Sequence, residues 1–431
     1  MGAVFAISQF ATTQNPMRSG NFCDCRLACD SSNGIVSARD EWTTGFDDAD
    51  VAKKVITFCK LYASKQFRWK NSTERRDAER AKTKAAKKKA LKDALRNFVS
   101  RKIKWTEELE SHLDRGDSLT FKKSELVVGA DRPCIAMPTY YARIITHRLY
   151  QQEQIYPIGK QWHNQAIGFS GLASVKPFQC LAVDKVPSFD LLEKTQFVPI
   201  YRYEKGHRLD NTTDWALEQF RTHYEGGAST SPHPSRRRFA PPQDDGAGRR
   251  SIAKDAIFHY VYGVLHDPGY REKYALNLKR EFPRIPFYPD FWKWAGWGEK
   301  LMALHIGYES VEPWPLARID VPDEKSRRAG LAPKALLRAN KETGNIQLDT
   351  ETQVTGIPPE TWAYRLGNRS ALEWILDQYK EKTPKDPTIR EKFNTYRFAN
   401  YKEKVIDLLM RVTRVSIETV RIVEAMRAEK R

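Results

Sequence analysis

From Gly226 to Arg250 the chain offers no periodic apolar position. The stretch EGGASTSPHPSRRRFAPPQDDGAGRRS, spanning Glu225 to Ser251, is dominated by Gly, Pro, Ser and Arg. Such a composition buries too little apolar surface to offset the entropy of ordering the chain. Residues 226–250 are therefore read as a flexible linker, and the fold has to be assembled from what lies on either side. The arginine clusters of this segment, Arg236 to Arg238 and Arg249 with Arg250, admit two readings, phosphate contact or plain solubilising charge.

Upstream, residues 105–225 alternate short apolar runs with aromatic and proline punctuation. IAMPTYYARIITHRLY from Ile135, KPFQCLAVDKVPSF from Lys176 and TQFVPIYRY from Thr195 are rich in the β-branched and aromatic residues that suit a pleated surface. This part is read as sheet-rich. Downstream, residues 251–431 read as largely helical. YVYGVLHDPGYREKYALNLKREFPRIPF from Tyr260 predicts a helix over about 251–281, broken at Asp267-Pro268-Gly269, because proline removes a backbone donor and glycine tolerates the turn. A tryptophan-rich helix follows over 291–308, then strands and turns over 312–359. A last helix over 397–428 carries Tyr401, Val405, Leu408, Val412, Val415, Val420 and Val423 near a helical period. The resulting fold class is α+β, a mixed, sheet-rich N-terminal part followed by a largely helical C-terminal part with an inserted strand region.

Two segments precede the sheet-rich part. Residues 1–72 mix apolar and turn-forming residues, with a turn at Asn33-Gly34 and an extended piece after it in SSNGIVSARDEW, and are read as a junction. Residues 73–104 are basic and alanine-rich, and predict one solvated helix whose apolar residues, Leu91, Leu95, Phe98 and Val99, come only toward its end. Lys87, Lys88 and Lys89 on it are candidate phosphate contacts; the alternative is a charged surface helix.

A formal net charge of +18 and a pI near 9.5 favour a polyanionic partner, because binding releases counterions from its phosphates. Nucleic acid leads and an anionic membrane surface comes second. No stretch reaches the roughly 20 apolar residues needed to cross a bilayer, and MGAVFAISQFATTQ lacks the basic start and long apolar centre of a secretory signal, so the expected compartment is the cytoplasm. Six cysteines are too few for a disulfide framework in a chain of this length. Cys23, Cys25 and Cys29 lack zinc-ribbon spacing and a nearby histidine, which favours free thiols over a metal site.

Motor and transfer chemistry leave no trace. Ile158-Gly159-Lys160-Gln161 is not the Gly-x4-Gly-Lys-Ser/Thr that cradles phosphates. No glycine-rich loop for S-adenosylmethionine and no Asn-Pro-Pro-Tyr-like tetrapeptide for a flipped base is present; Asn15-Pro16 is the sole Asn-Pro pair. Asp320, Asp323 and Lys325 in IDVPDEK offer a nuclease-like Asp followed by Asp-x-Lys, against which a charged turn around Pro322 explains them equally well. What remains is recognition, which needs cations for phosphates and Arg, Lys, Asn or Gln for base edges. Around Tyr260, Tyr262, Tyr270 and Tyr274, which read mainly as core, stand Arg271, Lys273, Lys279, Arg280 and Arg284. Of these, Arg271, Lys279, Arg280 and Arg284 are candidate contacts.

The Tyr260–Phe287 block and NRSALEWILDQYKEKT from Asn368 together resemble the C-terminal half of the type ISP restriction-modification enzymes. In those single-chain bacterial machines a nuclease, a helicase-type motor, an adenine methyltransferase and a DNA target-recognition domain follow one another. Ser32 to Phe46, Arg132-Pro133, Tyr140-Tyr141, Ser174 to Phe178 and Pro199 to Tyr201 extend the resemblance. It implies a target-recognition domain of a phage-defence system, which binds double-stranded DNA, positions a target adenine and gates the motor-nuclease. It implies that residues 1–72 adjoin the end of a methyltransferase core. S-adenosylmethionine, ATP and magnesium are then expected only in partner subunits or missing domains, with no cofactor and no catalysis in this chain alone. It adds Arg132, Lys176 and Arg369 to the candidate contacts, and makes Ser370 a helix N-cap with Glu373 as its capping-box partner. The competing readings are a divergent adenine methyltransferase or nuclease, and a scaffold that binds nucleic acid without sequence preference.

Overall fold

The computed structural model describes residues 4–6, 27–99, 103–226 and 251–431. Linker residues 227–250 with both arginine clusters, the cysteines Cys23 and Cys25, and Asn15-Pro16 lie outside the described residues.

One four-stranded antiparallel sheet organises the molecule, in the order Ser32–Asn33, Gln196–Pro199, Ala166–Phe169, Cys180–Val183. Successive side chains on a strand point to opposite faces, and the alternation sorts them into two cores. Ala166, Leu181, Val183 and Phe197 enter the first, whereas Ile167, Phe169, Cys180, Ala182 and Val198 enter the second. A sheet covered on both faces calls for continuous apolar runs, and AIGF and CLAV supply them with every residue buried.

The first core is closed by the hairpin Leu126–Arg132 and Ile135–Tyr140, by a meander and by two helices. The meander runs Ala317–Asp320, Thr352–Thr355, Asn345–Asp349, Ala335–Asn340 and turns Ile346, Leu348 and Val354 inward. Leu372, Ile375 and Leu376 come from helix Ala371–Gln378, and Val405, Leu409, Val412 and Val415 from helix Lys402–Arg427. The shorter helix starts at a complete capping box: the Ser370 hydroxyl accepts from the Glu373 N–H, and the Glu373 carboxylate accepts from the Ser370 N–H at 2.8 Å.

The second core lies under helices Lys254–His266 and Phe291–Ile306. They cross at Gly263 and Gly298, where a Cβ on Gly298 would stand 1.8 Å from the His259 carbonyl oxygen and one on Gly263 2.4 Å from that of Trp294. The first of these helices stops at Asp267, whose side chain caps the next helix, Pro268–Lys273, with Pro268 at its start. Met426 brings the far end of helix Lys402–Arg427 into the same core. Both cores take side chains from either side of 227–250, so the two compositional halves are packed as one body.

The third core corrects two expectations. Within the presumed junction lies a 23-residue helix, Asp48–Lys70, capped by Asp47. Its buried Val51, Val55, Phe58, Tyr62 and Trp69 fall on one helical face. The basic segment is two helices, Thr73–Glu79 and Lys84–Phe98. The Ser72 hydroxyl accepts from the Arg75 N–H and the Thr83 hydroxyl from the Ala86 N–H, each at 3.1 Å; the first helix ends at its C-cap Arg80, and the Thr83 cap starts the second. Trp42 belongs to this core, and its Nε1–H donates to Asp386 at 2.8 Å, fixing it to the C-terminal part. The last helix begins at Lys402 rather than 397, because Phe398–Tyr401 forms a 3-10 turn ahead of it. Among the described residues no helix is long and apolar enough to cross a membrane.

Candidate nucleic-acid interface

Strands Ala166–Phe169 and Cys180–Val183 are joined by a loop that the structure turns into a hub. At its start Gly171 passes so close to a neighbouring turn that a Cβ would lie 2.1 Å from the Lys194 carbonyl oxygen. The Ala173 N–H donates to the Lys279 carbonyl at 3.0 Å, and Lys194 Nζ donates to the Ala173 carbonyl at 3.0 Å. The Ser174 hydroxyl donates to Glu193 at 2.7 Å, and the Val175 N–H donates to the other oxygen of the same carboxylate at 3.3 Å. Burial tends to raise the Glu193 pKa, but these donors and Lys176 hold it below the ordinary range.

Around this loop gather half of the predicted contacts. Lys176 Nζ stands 5.8 Å from the centroid of the Trp374 ring and the Arg369 guanidinium carbon 4.8 Å from it, both within cation–π reach. The Trp374 Nε1–H donates to the Leu366 carbonyl at 2.8 Å, which fixes the ring, and Arg369 Nη1 donates to Asp377 at 3.1 Å. Lys279 and Arg280 are exposed on helix Asn277–Arg280, next to the loop through the Ala173 bond. Arg271 borders the loop at 5.8 Å from the Phe178 ring but is turned inward: Nε donates to the Leu265 carbonyl at 2.6 Å and Nη2 to Cys180 Sγ at 3.1 Å. It satisfies the carbonyl of a helix end.

The other predicted contacts lie elsewhere. Arg284 is exposed on strand Arg284–Pro286 and pairs with Glu281 at 2.8 Å; both line a cavity of about 210 Å³ with Tyr270, Tyr274, Asn277 and Phe282. Arg132 ends the hairpin strand beside two carboxylates, Asp131 at 3.6 Å and Asp190 at 3.9 Å, which offset its charge. Lys87, Lys88 and Lys89 are exposed on helix Lys84–Phe98, on the third core. Lys194 was missed: nothing in LLEKTQ suggests a contact, and only the approach of its turn to Gly171 brings it in.

The chemistry-bearing residue types serve the fold. Tyr260, Tyr262 and Tyr270 are buried. The Tyr262 hydroxyl accepts from the Ala182 N–H at 2.8 Å and meets His305 Nδ1 at 2.5 Å, while His305 Nε2 meets the Thr419 hydroxyl at 3.0 Å. Burial, with Arg271 nearby, pushes the His305 pKa down to about 3, which leaves a neutral ring in a closed network. Asp320 accepts from the Thr352 hydroxyl at 2.8 Å and from Arg318 at 2.7 Å. Asp323 caps helix Glu324–Arg328 through the Ser326 N–H at 3.1 Å. No group of three or more His, Cys, Asp or Glu among the described residues is placed to hold a metal ion.

Residues 27–408 match the Type ISP C-terminal specificity domain. The chain belongs to that family. Among solved structures the specificity domain is similar to DrdV, determined as a DrdV–DNA complex, at 43% identity and a TM-score of 0.79 over 95% of this chain and 37% of that one. A nuclease-deletion mutant of the Type ISP enzyme LlaGI, in complex with a DNA substrate mimic, superposes at TM-score 0.70 and 23% identity over 94% of this chain and 33% of that one. The ATP-dependent Type ISP enzyme LlaBIII, bound to DNA, does so at 0.68 and 21% over 96% and 24%. The last two likenesses are of fold. The chain thus spans between about a quarter and just over a third of the length of these proteins, and no curated protein matches it.

Proposed function

We propose that this specificity domain recognises a short sequence in double-stranded DNA, and so positions a target adenine for a methyltransferase and gates a motor-nuclease. What carries the reading is the similarity to DrdV, which was solved with DNA. The basic loop surface supports it: Lys176, Lys194, Lys279, Arg280 and Arg369 come from four separate stretches of chain to one neighbourhood, and such a cluster can neutralise adjacent phosphates. S-adenosylmethionine, ATP and magnesium belong in this scheme to the methyltransferase and motor-nuclease, as partner subunits or as further domains.

The test is selection of bound duplexes from a random pool at about 150 mM salt, where non-specific charge binding is suppressed. Enrichment of one short motif is the expected result. Salt-sensitive binding with no motif favours the scaffold reading, and binding of S-adenosylmethionine by this chain alone favours the divergent methyltransferase.

A further inference from the structure

Single exposed apolar residues are ordinary on protein surfaces. Val175 is different because of what surrounds it. It is 82% exposed, yet its own N–H is bonded to Glu193 and the residues on both sides of it are fixed: Ser174 to Glu193, and the Lys176 N–H to the Ser174 hydroxyl at 3.3 Å. The loop is held from below by Ala173, bonded to Lys279 and to Lys194. Three of its framing residues, Ala173 (φ 58°), Glu193 (φ 77°) and Lys194 (φ 52°), are in the left-handed region without being glycine, a conformation that costs free energy at each position. A loop strained and bonded this way presents a fixed side chain to solvent, and the side chain presented is aliphatic. The loop's neighbours are basic: Lys176 is next in sequence, Lys194 Nζ is bonded to the loop's Ala173 carbonyl, and Lys279, joined to the loop through its backbone carbonyl, is exposed with Arg280 beside it. Glu193, on the neighbouring turn, has its carboxylate turned onto the loop's own donors.

A rigid apolar tip on a loop with basic neighbours matches a nucleic-acid groove, where phosphates flank base edges. We infer that Val175 enters the major groove of the bound duplex and packs against the C5-methyl group of a thymine. This rests on the proposed reading of DNA recognition and names the element that reads. The major groove is wide enough for such a loop and is where the thymine methyl is displayed. The short, β-branched side chain suits a methyl contact better than a wedge between base steps, for which longer or flatter residues are used. Ala173 and Ser174, which lead directly into Val175, are small, and Leu172 before them is far less exposed than Val175, at 37% against 82%.

The experiment uses the full chain and the duplex enriched from the random pool, with each thymine replaced in turn by deoxyuridine, which lacks only that methyl. For the unaltered chain, one replacement should weaken binding about 4-fold, the worth of one buried methyl-sized group. In Val175→Ala the same replacement should have no effect, and affinity for the unmodified duplex should already be lower by a similar factor. Lys279→Ala with Arg280→Ala serves as the phosphate control, weakening all duplexes alike and keeping the thymine dependence. If Val175→Ala keeps the full deoxyuridine effect, or if no thymine matters to the unaltered chain, the assignment of Val175 is overturned while sequence recognition stands. If the unaltered chain enriches no motif at all, DNA reading and this inference fall together. Since Val175 is so exposed, the variant should unfold at the same temperature as the parent, and that control separates loss of contact from loss of fold.

Discussion

Arg431 grips Asp267 with two nitrogens: Nε and Nη2 each stand 2.7 Å from one oxygen of its carboxylate. Asp267 is fully buried and also accepts from the Tyr288 hydroxyl at 2.7 Å and from the N–H groups of Gly269 and Tyr270. Asp267 therefore ends helix Lys254–His266 through its backbone N–H, while its carboxylate starts helix Pro268–Lys273 and holds the residues beyond helix Lys402–Arg427 against it. Removing the guanidinium leaves a buried charge with neutral donors alone. Breaking a buried pair costs about 3–5 kcal/mol, and because Arg431 is 32% exposed, Arg431→Ala should destabilise by about 2–3 kcal/mol once solvent screening is allowed for. Urea unfolding checks this, and a change within measurement error would show the pair to be ornamental.

The same carboxylate should set part of the acid limb of stability. Burial by itself raises its pKa, but Arg431, Tyr288 and the Gly269 N–H outweigh burial and hold it below the ordinary aspartate range. A group whose folded pKa is depressed stabilises the protein above its unfolded value and loses that contribution as pH falls through the folded one. The urea midpoint of the parent should therefore fall below about pH 4. In Arg431→Ala, where burial is less opposed, the folded pKa moves up toward or past the unfolded one, so less stability is lost as pH falls and the acid limb should be shallower. Midpoints measured from pH 6 to pH 2 decide it; identical acid limbs in the two proteins would refute the linkage.

The helix crossing makes a sharper demand. A methyl on Gly298 meets backbone, the His259 carbonyl at 1.8 Å, which cannot rotate aside as a side chain can. Gly298→Ala has to push helices Lys254–His266 and Phe291–Ile306 apart and open the second core. A loss of at least the roughly 1–3 kcal/mol of ordinary overpacking is expected, read as a lower urea midpoint. Gly296, on the same helix, has nothing within 4 Å of an added Cβ, so Gly296→Ala should be neutral or slightly stabilising.

Some of this was written locally in the chain. Ser370 with Glu373 signals a capping box, and Asp267-Pro268 signals a helix break, because each depends only on residues a few positions apart. The helix Asp48–Lys70 was legible too, in the spacing of Val51, Val55, Phe58 and Tyr62, but the turn residues of 31–46 drew the whole segment into a junction. The break at Thr83 was hidden because a hydroxyl cap inside a lysine and alanine run looks like one more helical residue. The candidate interface was the least legible part. Ala173 meets Lys279 and Lys176 meets Trp374 across about 100 and 200 residues of sequence, so residue types could nominate cations without showing which ones converge, and could not tell that Arg271 faces inward.

On the proposed reading, convergence should give the cations unequal weights in DNA binding. Arg280 and Arg284 are both exposed, so replacing them together with Ala should leave thermal unfolding unchanged. Arg284 is already paired with Glu281, and most of the loss should come from Arg280. Each phosphate contact removed lowers the slope of log affinity against log salt by about 1, so the double variant should lose between about 1 and 2 from that slope and bind every duplex more weakly. Reversing Lys87, Lys88 and Lys89 to Glu tests a different surface, on the third core. If helix Lys84–Phe98 touches phosphate, affinity falls alike across sequences; if it is a solvated face, only weak long-range repulsion remains, and it vanishes once salt shortens the Debye length to about 8 Å. Titrations at about 50 and 150 mM salt separate the cases. A loss confined to the enriched motif would mean that these lysines reach base edges, contrary to the phosphate assignment.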